Sequence, residues 1–504
     1  MEEKNIVAID LGTSKIALTV AKISGDDIQV IYYKETPSAG IRYSSVYNIL
    51  QVTEPLGRLI RDAEEALDIK ITQAVAGMPK YPIRLENNSG VIEGRGEDTD
   101  ITAEDIAELK RYAEDSYPLE DNDKEAIYGA VAQSFSDGEN FQIIENDIIG
   151  MTSDTLEGHF KIFIGKKSNL KKIDTVMSKT GISVRKKYFT ADTTAKAVLT
   201  EAEMENGVAL IDFGGGCTSV SIYHGSIMRH YASIPFGGRN ITNDIKTEGQ
   251  ISTRLAENIK LAFGACMPEK LQSLSEKVLH ISSDNSEPDK KLPVKYLSEI
   301  ITARVEEIIM AMLYEINESG FADMLRSGIV ITGGCAQTAN LGSFIYDLSG
   351  YRVRTGYPHG RISAVGCDGI KETTAATSIG LILAAKDEPS LNCAIVEAES
   401  KACSVIVETG NEYEEAPVSE DIVTGNVVEA VPEETEEKEA EEPAEGTLFR
   451  DSEIEKVEKP KDKDTDSRPK FLNILWRNAR KKAEEAAKKT GKLLDELSEE
   501  NIQN

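Results

Sequence analysis

Short apolar runs closed by glycine or polar turns alternate with longer stretches whose apolar residues recur every three or four positions. The first pattern is that of a buried strand, the second that of a helix with one buried face. Asn5–Asp10, Ile16–Ile23 and Ile28–Tyr33 predict three strands, the last two joined at Gly25–Asp27. Val52–Leu67 predicts a helix, and Ile71–Ala76 a strand after it. The middle of the chain repeats this order. Val208–Asp212 predicts a strand, Ser219–Tyr223 and Ile227–Ser233 a hairpin around His224-Gly225-Ser226, and a helix starts near Gly238. Either the architecture is duplicated at a spacing of about 200 residues, or two hairpins of this kind arose separately. Further on, Pro293–Glu318 predicts a long amphipathic helix and Ile329–Thr332 a buried strand. Within Arg361–Ala385, which includes Ala364 and Gly366, the small-residue run Thr373–Leu383 predicts a tightly packed helix near a hinge. Between the halves, Leu85–Phe163 predicts strands near Gly90 and over Phe141–Ile149. It also holds a helix opened by Thr102, with Asp105 three positions on as a capping-box variant.

Three strand ends carry the candidate chemistry: Asp10-Leu-Gly-Thr-Ser-Lys15, Val208 to Thr218 (VALIDFGGGCT) and Thr332-Gly333-Gly334. Glycines let backbone approach a ligand closely and turn N–H groups toward an anion. The aspartates would repel a phosphate, so their natural work is to hold a divalent cation or orient a water. Each motif alone is weak, because glycine turns after strands are common. Together, a duplicated fold would set two phosphate-binding turns across a cleft. The paired glycines at 333 and 334 would then permit close approach of a flat group such as an adenine.

At 504 residues the chain is long enough for two or more domains. Its net charge of -29 argues against nucleic acid as a partner of the whole chain. No CxxC spacing occurs among the six cysteines, and Cys217, Cys266, Cys335 and Cys367 lie in apolar or glycine-rich surroundings. They are expected to be buried free thiols of a reducing compartment rather than a metal site. The first residues run straight into an apolar strand without a leader pattern, and no stretch reaches transmembrane length, so a cytosolic protein is expected.

The composition changes after Asp387. Cys393–Val396 and Ser404–Val407 are readable as short strands or as loop. Asn411–Asp466 is rich in Glu, carries more than half of the net negative charge, and is expected to be disordered because it lacks apolar surface to bury. The character then reverses. Ser467 is a cap candidate and Pro469 suits a first helical turn. Phe471, Leu472, Leu475, Trp476, Ala479 and Ala483 fall on one face, with Ile474 at its edge. Lys470, Arg477, Arg480, Lys481 and Lys482 supply positive charge. This pattern suits a helix lying in the plane of an anionic membrane, with the acidic segment repelled by that surface. Docking on the chain's own core or on a partner are the alternatives. Ala483–Leu497 continues as a weaker helix of mixed charge.

The three glycine motifs stand in the order and spacing of the phosphate-1, phosphate-2 and adenosine motifs of the actin, sugar-kinase and heat-shock-chaperone superfamily, which they resemble. Two further stretches, Pro235 to Ile245 (PFGGRNITNDI) and Arg254 to Cys266 (RLAENIKLAFGAC), are similar to the bacterial FtsA family of actin-like cell-division proteins. So is Ala197 to Gly216, which corresponds to that family's connect-1 and phosphate-2 region. The resemblance covers about Asn5 to Ala385 and extends to the tail in plan only. It implies an α/β, actin-like fold: two lobes, each a ribonuclease H-like β-β-β-α-β-α unit. Residues 1–84, 164–196 and 362–386 would form subdomain 1A, and 85–163 an inserted subdomain 1C. Residues 197–228 and 306–361 would form 2A and 229–305 would form 2B. An acidic disordered linker (387–466) and a membrane-targeting helix (467–497) would follow.

The resemblance also implies site residues. ATP would be held by Gly12, Thr13, Ser14 and Lys15 on one side and by Gly214, Gly215, Gly216, Cys217 and Gly238 on the other. Glu257 would meet the ribose, Lys260 the base or sugar, and Gly333 and Gly334 the adenine. Cys335 stands where the family usually has glycine and would tighten the base pocket. Asp10 and Asp212 would reach Mg²⁺ through water and are the candidate catalytic pair. Glu257 and Lys260 also admit a plainer reading as an i,i+3 surface ion pair. Thr190 falls where relatives often carry the Glu or Gln that orients the attacking water, with Asp192 nearby, so slow or negligible hydrolysis is expected. Partners implied are the tubulin-like FtsZ through 2B, further division proteins through 1C, other copies of the chain, and anionic lipids through Phe471, Leu472, Leu475, Trp476, Arg477, Arg480, Lys481 and Lys482. This places the protein at the division site, peripheral to the cytoplasmic face of the membrane. Two relatives of the superfamily are alternatives. A kinase-type phosphotransferase would need an aspartate base facing the γ-phosphate, for which there is no persuasive candidate. A pilus-assembly protein would share the inserted subdomain but lack the terminal amphipathic helix. A chaperone would need a β-rich domain after about Ala385, where the Glu-rich segment stands instead.

Overall fold

The apolar runs that lead into the glycine turns fold as expected, and their continuity has a simple cause. In β1 (Lys4–Leu11), Ile6, Val7, Ala8 and Ile9 are all fully buried, because the sheet is covered on both faces. The computed structural model describes residues 3–94, 96, 99–281, 290–388 and 391–396. The chain divides into two units, Met1–Ser404 and Val405–Asn504, and every described residue belongs to the first. The acidic segment, the run Ser404–Val407 and the basic amphipathic stretch from Ser467 lie outside the described residues.

After β1 come β2 (Lys15–Ser24), β3 (Asp27–Pro37) and α1 (Ile49–Leu67). Asn48 caps α1 by accepting from the Gln51 amide, and Val52, Leu56, Leu59, Ile60 and Ala63 form its buried face. The next predicted strand is split at Thr72. Ile69–Ile71 pairs antiparallel with Ala394–Val396, whereas β4 (Gln73–Gly77) enters the main sheet. An insertion follows, made of β5 (Ile83–Ile92), α2 (Ala103–Ser116), β6 (Glu125–Ser136) and β7 (Leu156–Lys166). Then α3 (Lys167–Lys179) and β8 (Ser183–Tyr188) complete the first lobe's sheet in the order β8-β4-β1-β2-β3, with Ile362–Ala364 added parallel to β3.

The crossing helix α4 (Thr190–Val198) leads to the second lobe: β9 (Val208–Phe213), β10 (Thr218–His224), β11 (Ile227–Ile234), α5 (Gly238–Gly249), α6 (Thr253–Phe263), α7 (Val294–Glu318), β12 (Ile329–Thr332) and β13 (Val353–Thr355). Its sheet order is β11-β10-β9-β12-β13. Each sheet is therefore an antiparallel three-strand meander whose first strand is extended by two parallel strands, and the same order recurs in both lobes. That identity of topology makes the chain a duplication and removes the reading of two unrelated hairpins. A return helix, α8 (Ala376–Ala385), begins three residues after the predicted start, because Thr373–Ala375 forms a 3-10 turn. It packs directly on α4: a Cβ at Gly380 would overlap the Thr193 carbonyl, and Thr194 Oγ1 lies 3.1 Å from Thr377 Oγ1.

The insertion has its own core, in which α2 lays Ile106, Leu109 and Ala113 on the antiparallel sheet β5-β7-β6. Its cap is the predicted one, Thr102 and Asp105 satisfying each other reciprocally. The strand expected over Phe141–Ile149 is absent. Ile143 makes one bridge to Phe135, Glu145–Ile148 is a single helical turn, and Phe141 is exposed. The Asp137 carboxylate explains why: it accepts from the backbone amides of Glu139 and Asn140 and closes a turn where a strand would have to begin. The insertion's strands are instead β6 and β7. In β7, Leu156, Phe160, Ile162 and Ile164 point inward while Glu157, His159 and Lys161 do not. Three rings join the insertion to both lobes: Phe163 on β7, Phe189 before α4 and Tyr231 on β11, with centroids 4.5 Å and 5.0 Å apart across Phe189.

Candidate functional site

The three glycine turns converge. The first follows β1, the second follows β9 and the third follows β12, all at equivalent ends of the two sheets. A Cβ at Gly216 would lie within 2.8 Å of the Thr13 side chain, and one at Gly215 within 3.0 Å of Ser14 Cβ. The two phosphate-type turns thus face each other at side-chain contact. Gly333 has φ +88, and a Cβ there would meet Asp212 Oδ1 and the Phe213 carbonyl oxygen at 2.7 Å, so the third turn abuts the second and needs glycine on both counts. Gly334 differs, since a Cβ there would meet only Thr374 Cγ2 at 3.8 Å. The helix α5 begins against the second turn: the amides of Gly238 and Arg239 donate to the carbonyls of Gly214 and Gly215 at 3.0 and 2.8 Å. A Cβ at Gly238 would strike Cys335 Sγ at 2.6 Å.

Charge at this junction is organised by the expected Asp10, Lys15 and Asp212 together with two side chains that the sequence did not single out, Lys80 and Arg239. Asp212 is buried and paired with the Lys80 ammonium, which also lies 3.4 Å from Thr377 Oγ1. Burial pushes the Asp10 carboxyl above the usual carboxylate range, while Lys80 and Lys15 pull it back and Asp212 adds repulsion. Burial works against the Lys80 charge, but Asp212 and then Asp10 outweigh it and its pKa is raised. Lys15 stands at the start of β2, where Glu35 meets its charge and the Tyr33 hydroxyl lies at 3.2 Å. Arg239, at the start of α5, reaches back across the junction to the carbonyls of Thr13 and Ile41. Its pKa is lowered by burial.

The other expected site residues fall as follows. Glu257 and Lys260 are paired at 2.8 Å, but not on an open surface. Lys260 also donates to Thr242 Oγ1 at 2.9 Å and to the Gly238 carbonyl at 3.2 Å, tying α6 to the start of α5. Thr242 in turn donates to Glu257. Cys217 and Cys335 are buried, which pushes their thiols up to about 12 and about 11 and keeps them protonated. Cys266 and Cys367 are also buried free thiols. No cluster of three or more His, Cys, Asp or Glu side chains fit for a metal occurs among the described residues. Thr190 is buried and donates to the Met78 carbonyl, while Asp192 pairs with Lys196 one turn along α4. The membrane-facing candidates from Phe471 to Lys482 lie outside the described residues.

The residues present fit a nucleotide. Glycine lets the three turns approach one another at backbone contact, so their N–H groups can serve one anion, and Gly334 leaves room beside Thr374 for a flat base. Two acidic side chains suit a hydrated divalent cation, although the Lys80 ammonium already occupies one face of Asp212.

Two lobes that share a five-strand sheet order, with glycine turns meeting between them, define an actin-like fold. Among solved structures, the PilM–PilN type IV pilus biogenesis complex superposes with a TM-score of 0.55 at 12% identity, over 76% of this chain and 99% of that chain. The family model for cell division protein FtsA matches residues 209–380. Cell division protein FtsA of Neisseria meningitidis serogroup B is 30% identical over 390 residues, 76% of this chain and 91% of the relative. That of Pseudomonas aeruginosa is 28% identical over 388 residues, 75% and 89% respectively. The chain belongs to the FtsA family of cell division proteins. Among the described residues no helix is long and apolar enough to cross a membrane.

Proposed function

We propose that this chain binds ATP with Mg²⁺ between its lobes, assembles with other copies of itself at the inner face of the cytoplasmic membrane, and tethers the FtsZ ring there while recruiting later division proteins. The observation that carries the nucleotide reading is the convergence of three glycine turns from two topologically identical lobes in a chain of this family. Gly12, Thr13 and Ser14 would hold phosphates from one side and Gly214, Gly215 and Gly216 from the other, with Gly333 and Gly334 against the base. Asp10 and Asp212 would meet the cation through water; when bound, that cation would neutralise phosphate charge. Glu257 is held by Thr242 and Lys260 close to the start of α5, a position suited to a ribose hydroxyl. Hydrolysis is slow or negligible in this reading, because Thr190 donates to backbone and Asp192 is committed to Lys196. Nucleotide then acts chiefly to set the arrangement of the lobes.

The inserted sheet corresponds to the family's subdomain 1C, the surface for other division proteins, and about Arg229–Ile301 to the FtsZ-facing part of 2B. The basic amphipathic stretch Phe471–Lys482 is the membrane anchor, on the strength of its apolar face and unopposed cations. Co-sedimentation with anionic vesicles tests the whole reading, comparing the full chain with one ending before Ser467, with and without ATP, and imaging the pellets. The full chain is expected to pellet, the shortened chain to stay in solution, and ATP to yield ordered filaments on lipid. If both chains remain in solution, the anchor and tether are wrong.

A further inference from the structure

Lys80 follows β4 in the loop Met78–Pro82, far in sequence from every glycine motif, yet its side chain ends between the lobes. Its backbone is clamped from both sides. The Lys80 amide donates to Ser44 Oγ at 3.2 Å, and the Ser44 amide donates to Thr13 Oγ1 at 2.9 Å, so one clamp leads to the first glycine turn. The Lys80 carbonyl accepts from the Tyr231 hydroxyl at 2.7 Å, so the other leads to β11 of the second lobe. From this fixed base the ammonium pairs with Asp212, approaches Thr377, and acts electrostatically on Asp10. Its side chain is 14% exposed and that of Asp212 is 9% exposed. A lone surface lysine would show neither the double clamp nor the two-carboxylate environment.

A buried carboxylate, Asp212, and a half-buried one, Asp10, facing a polyphosphate would present a steep repulsion, normally relieved by a divalent cation. Here a positive charge is already built into the chain at the same place. We propose that Lys80 is a nucleotide-binding residue whose ammonium supplies, between Asp10 and Asp212, positive charge otherwise demanded of the divalent cation. ATP binding by this chain is therefore only weakly dependent on Mg²⁺. The inference rests on the nucleotide reading above and deepens it.

The test is equilibrium binding of a fluorescent ATP analogue to the full chain in Mg²⁺ and in EDTA, for the natural protein, Lys80→Met and Lys80→Arg. Urea midpoints report that each variant is folded. For the natural protein, chelation is expected to weaken binding by less than about tenfold; for Lys80→Met the gap widens to about a hundredfold, and Lys80→Arg narrows it again. Electron paramagnetic resonance with Mn²⁺ supplies a second readout, since the Lys80→Met complex with ATP should hold Mn²⁺ more tightly than the natural one. A natural protein that loses about a hundredfold on chelation overturns the proposal, whatever the variants do. Equal weakening of Lys80→Met in both conditions overturns it too and leaves Lys80 as a latch between lobes. If the natural protein binds no nucleotide even with Mg²⁺, the nucleotide reading itself has failed, and this proposal with it.

Discussion

Replacing Gly380 by alanine should destabilise the chain, whereas the same replacement at Gly57 should stabilise it. Both glycines sit inside helices, so alanine brings each an intrinsic helical gain of about 0.8–1 kcal/mol. At Gly57, on α1, a new Cβ would meet only Arg61 Nη1 at 3.5 Å, an ordinary contact, and the gain is kept. At Gly380, on α8, the Cβ would overlap the Thr193 carbonyl group and come within 3.1 Å of the Thr194 nitrogen. These are backbone atoms of α4 and cannot swing aside as a side chain does. The two helices would have to move apart, and overpacking of this sort costs about 1–3 kcal/mol. Taking the upper figure because the clash is with backbone, and subtracting the helical gain, leaves a net loss of about 2 kcal/mol. With a urea slope of about 3 kcal/mol/M, Gly380→Ala should lower the unfolding midpoint by about 0.7 M and Gly57→Ala should raise it by about 0.3 M. Urea titration followed by far-UV circular dichroism measures both. A midpoint for Gly380→Ala equal to or above that of the natural protein would refute the backbone-on-backbone packing of α4 and α8. Since these helices cross between the lobes, Gly380→Ala should also weaken ATP binding, while Gly57→Ala should not.

At Gly215 the new methyl would press on the Ser14 side chain, which can rotate, so Gly215→Ala should barely move the urea midpoint yet weaken ATP binding by about tenfold or more by displacing Ser14 from its place opposite the second turn; unchanged affinity counts against the phosphate-turn reading. Glu203 carries a pH dependence. Partial burial opposes its charge, but hydrogen bonds from Arg354 and from the Thr200 cap outweigh burial and lower its pKa. A carboxyl with a lowered folded-state pKa stabilises fully above its unfolded value of about 4.3 and loses that contribution as pH falls through the lowered value. Arg354→Met should therefore reduce stability at pH 7 and flatten its fall on acidification below about pH 5, seen in thermal melts at stepped pH. An acid limb as steep as that of the natural protein would exclude this pair as a contributor.

What could be read from the sequence, and what could not, divides along the range of the interactions. Strands, glycine turns and the Thr102 cap are specified by residues a few positions apart, and period, turn chemistry and capping rules speak at that range. The duplication was legible for the same reason, as two local patterns in the same order. The strand β7 was also legible in principle, since Leu156, Phe160 and Ile162 alternate with polar residues before the apolar run Ile162–Ile164, but Gly158 and Gly165 and the interleaved charges weaken the apolar signal. The electrostatics of the site are of another kind. Lys80 lies 132 residues from Asp212, and Arg239 lies 226 residues from Thr13, the residue whose carbonyl it reaches. Each is a single basic residue in a loop or at a helix start, with nothing nearby to separate it from a solvated surface charge. Its role exists only once the duplicated lobes are brought face to face. The same holds for Tyr231, which reads as an unremarkable strand tyrosine until its hydroxyl is seen to hold the Lys80 carbonyl. The local code thus specifies where a phosphate could lie. The charge that would meet it is specified by the pairing of the lobes, so that any ligand altering their arrangement must also rearrange the Lys80–Asp212 and Arg239–Thr13 contacts, and changes at Lys80 or Arg239 should register as changes in lobe arrangement as well as in affinity.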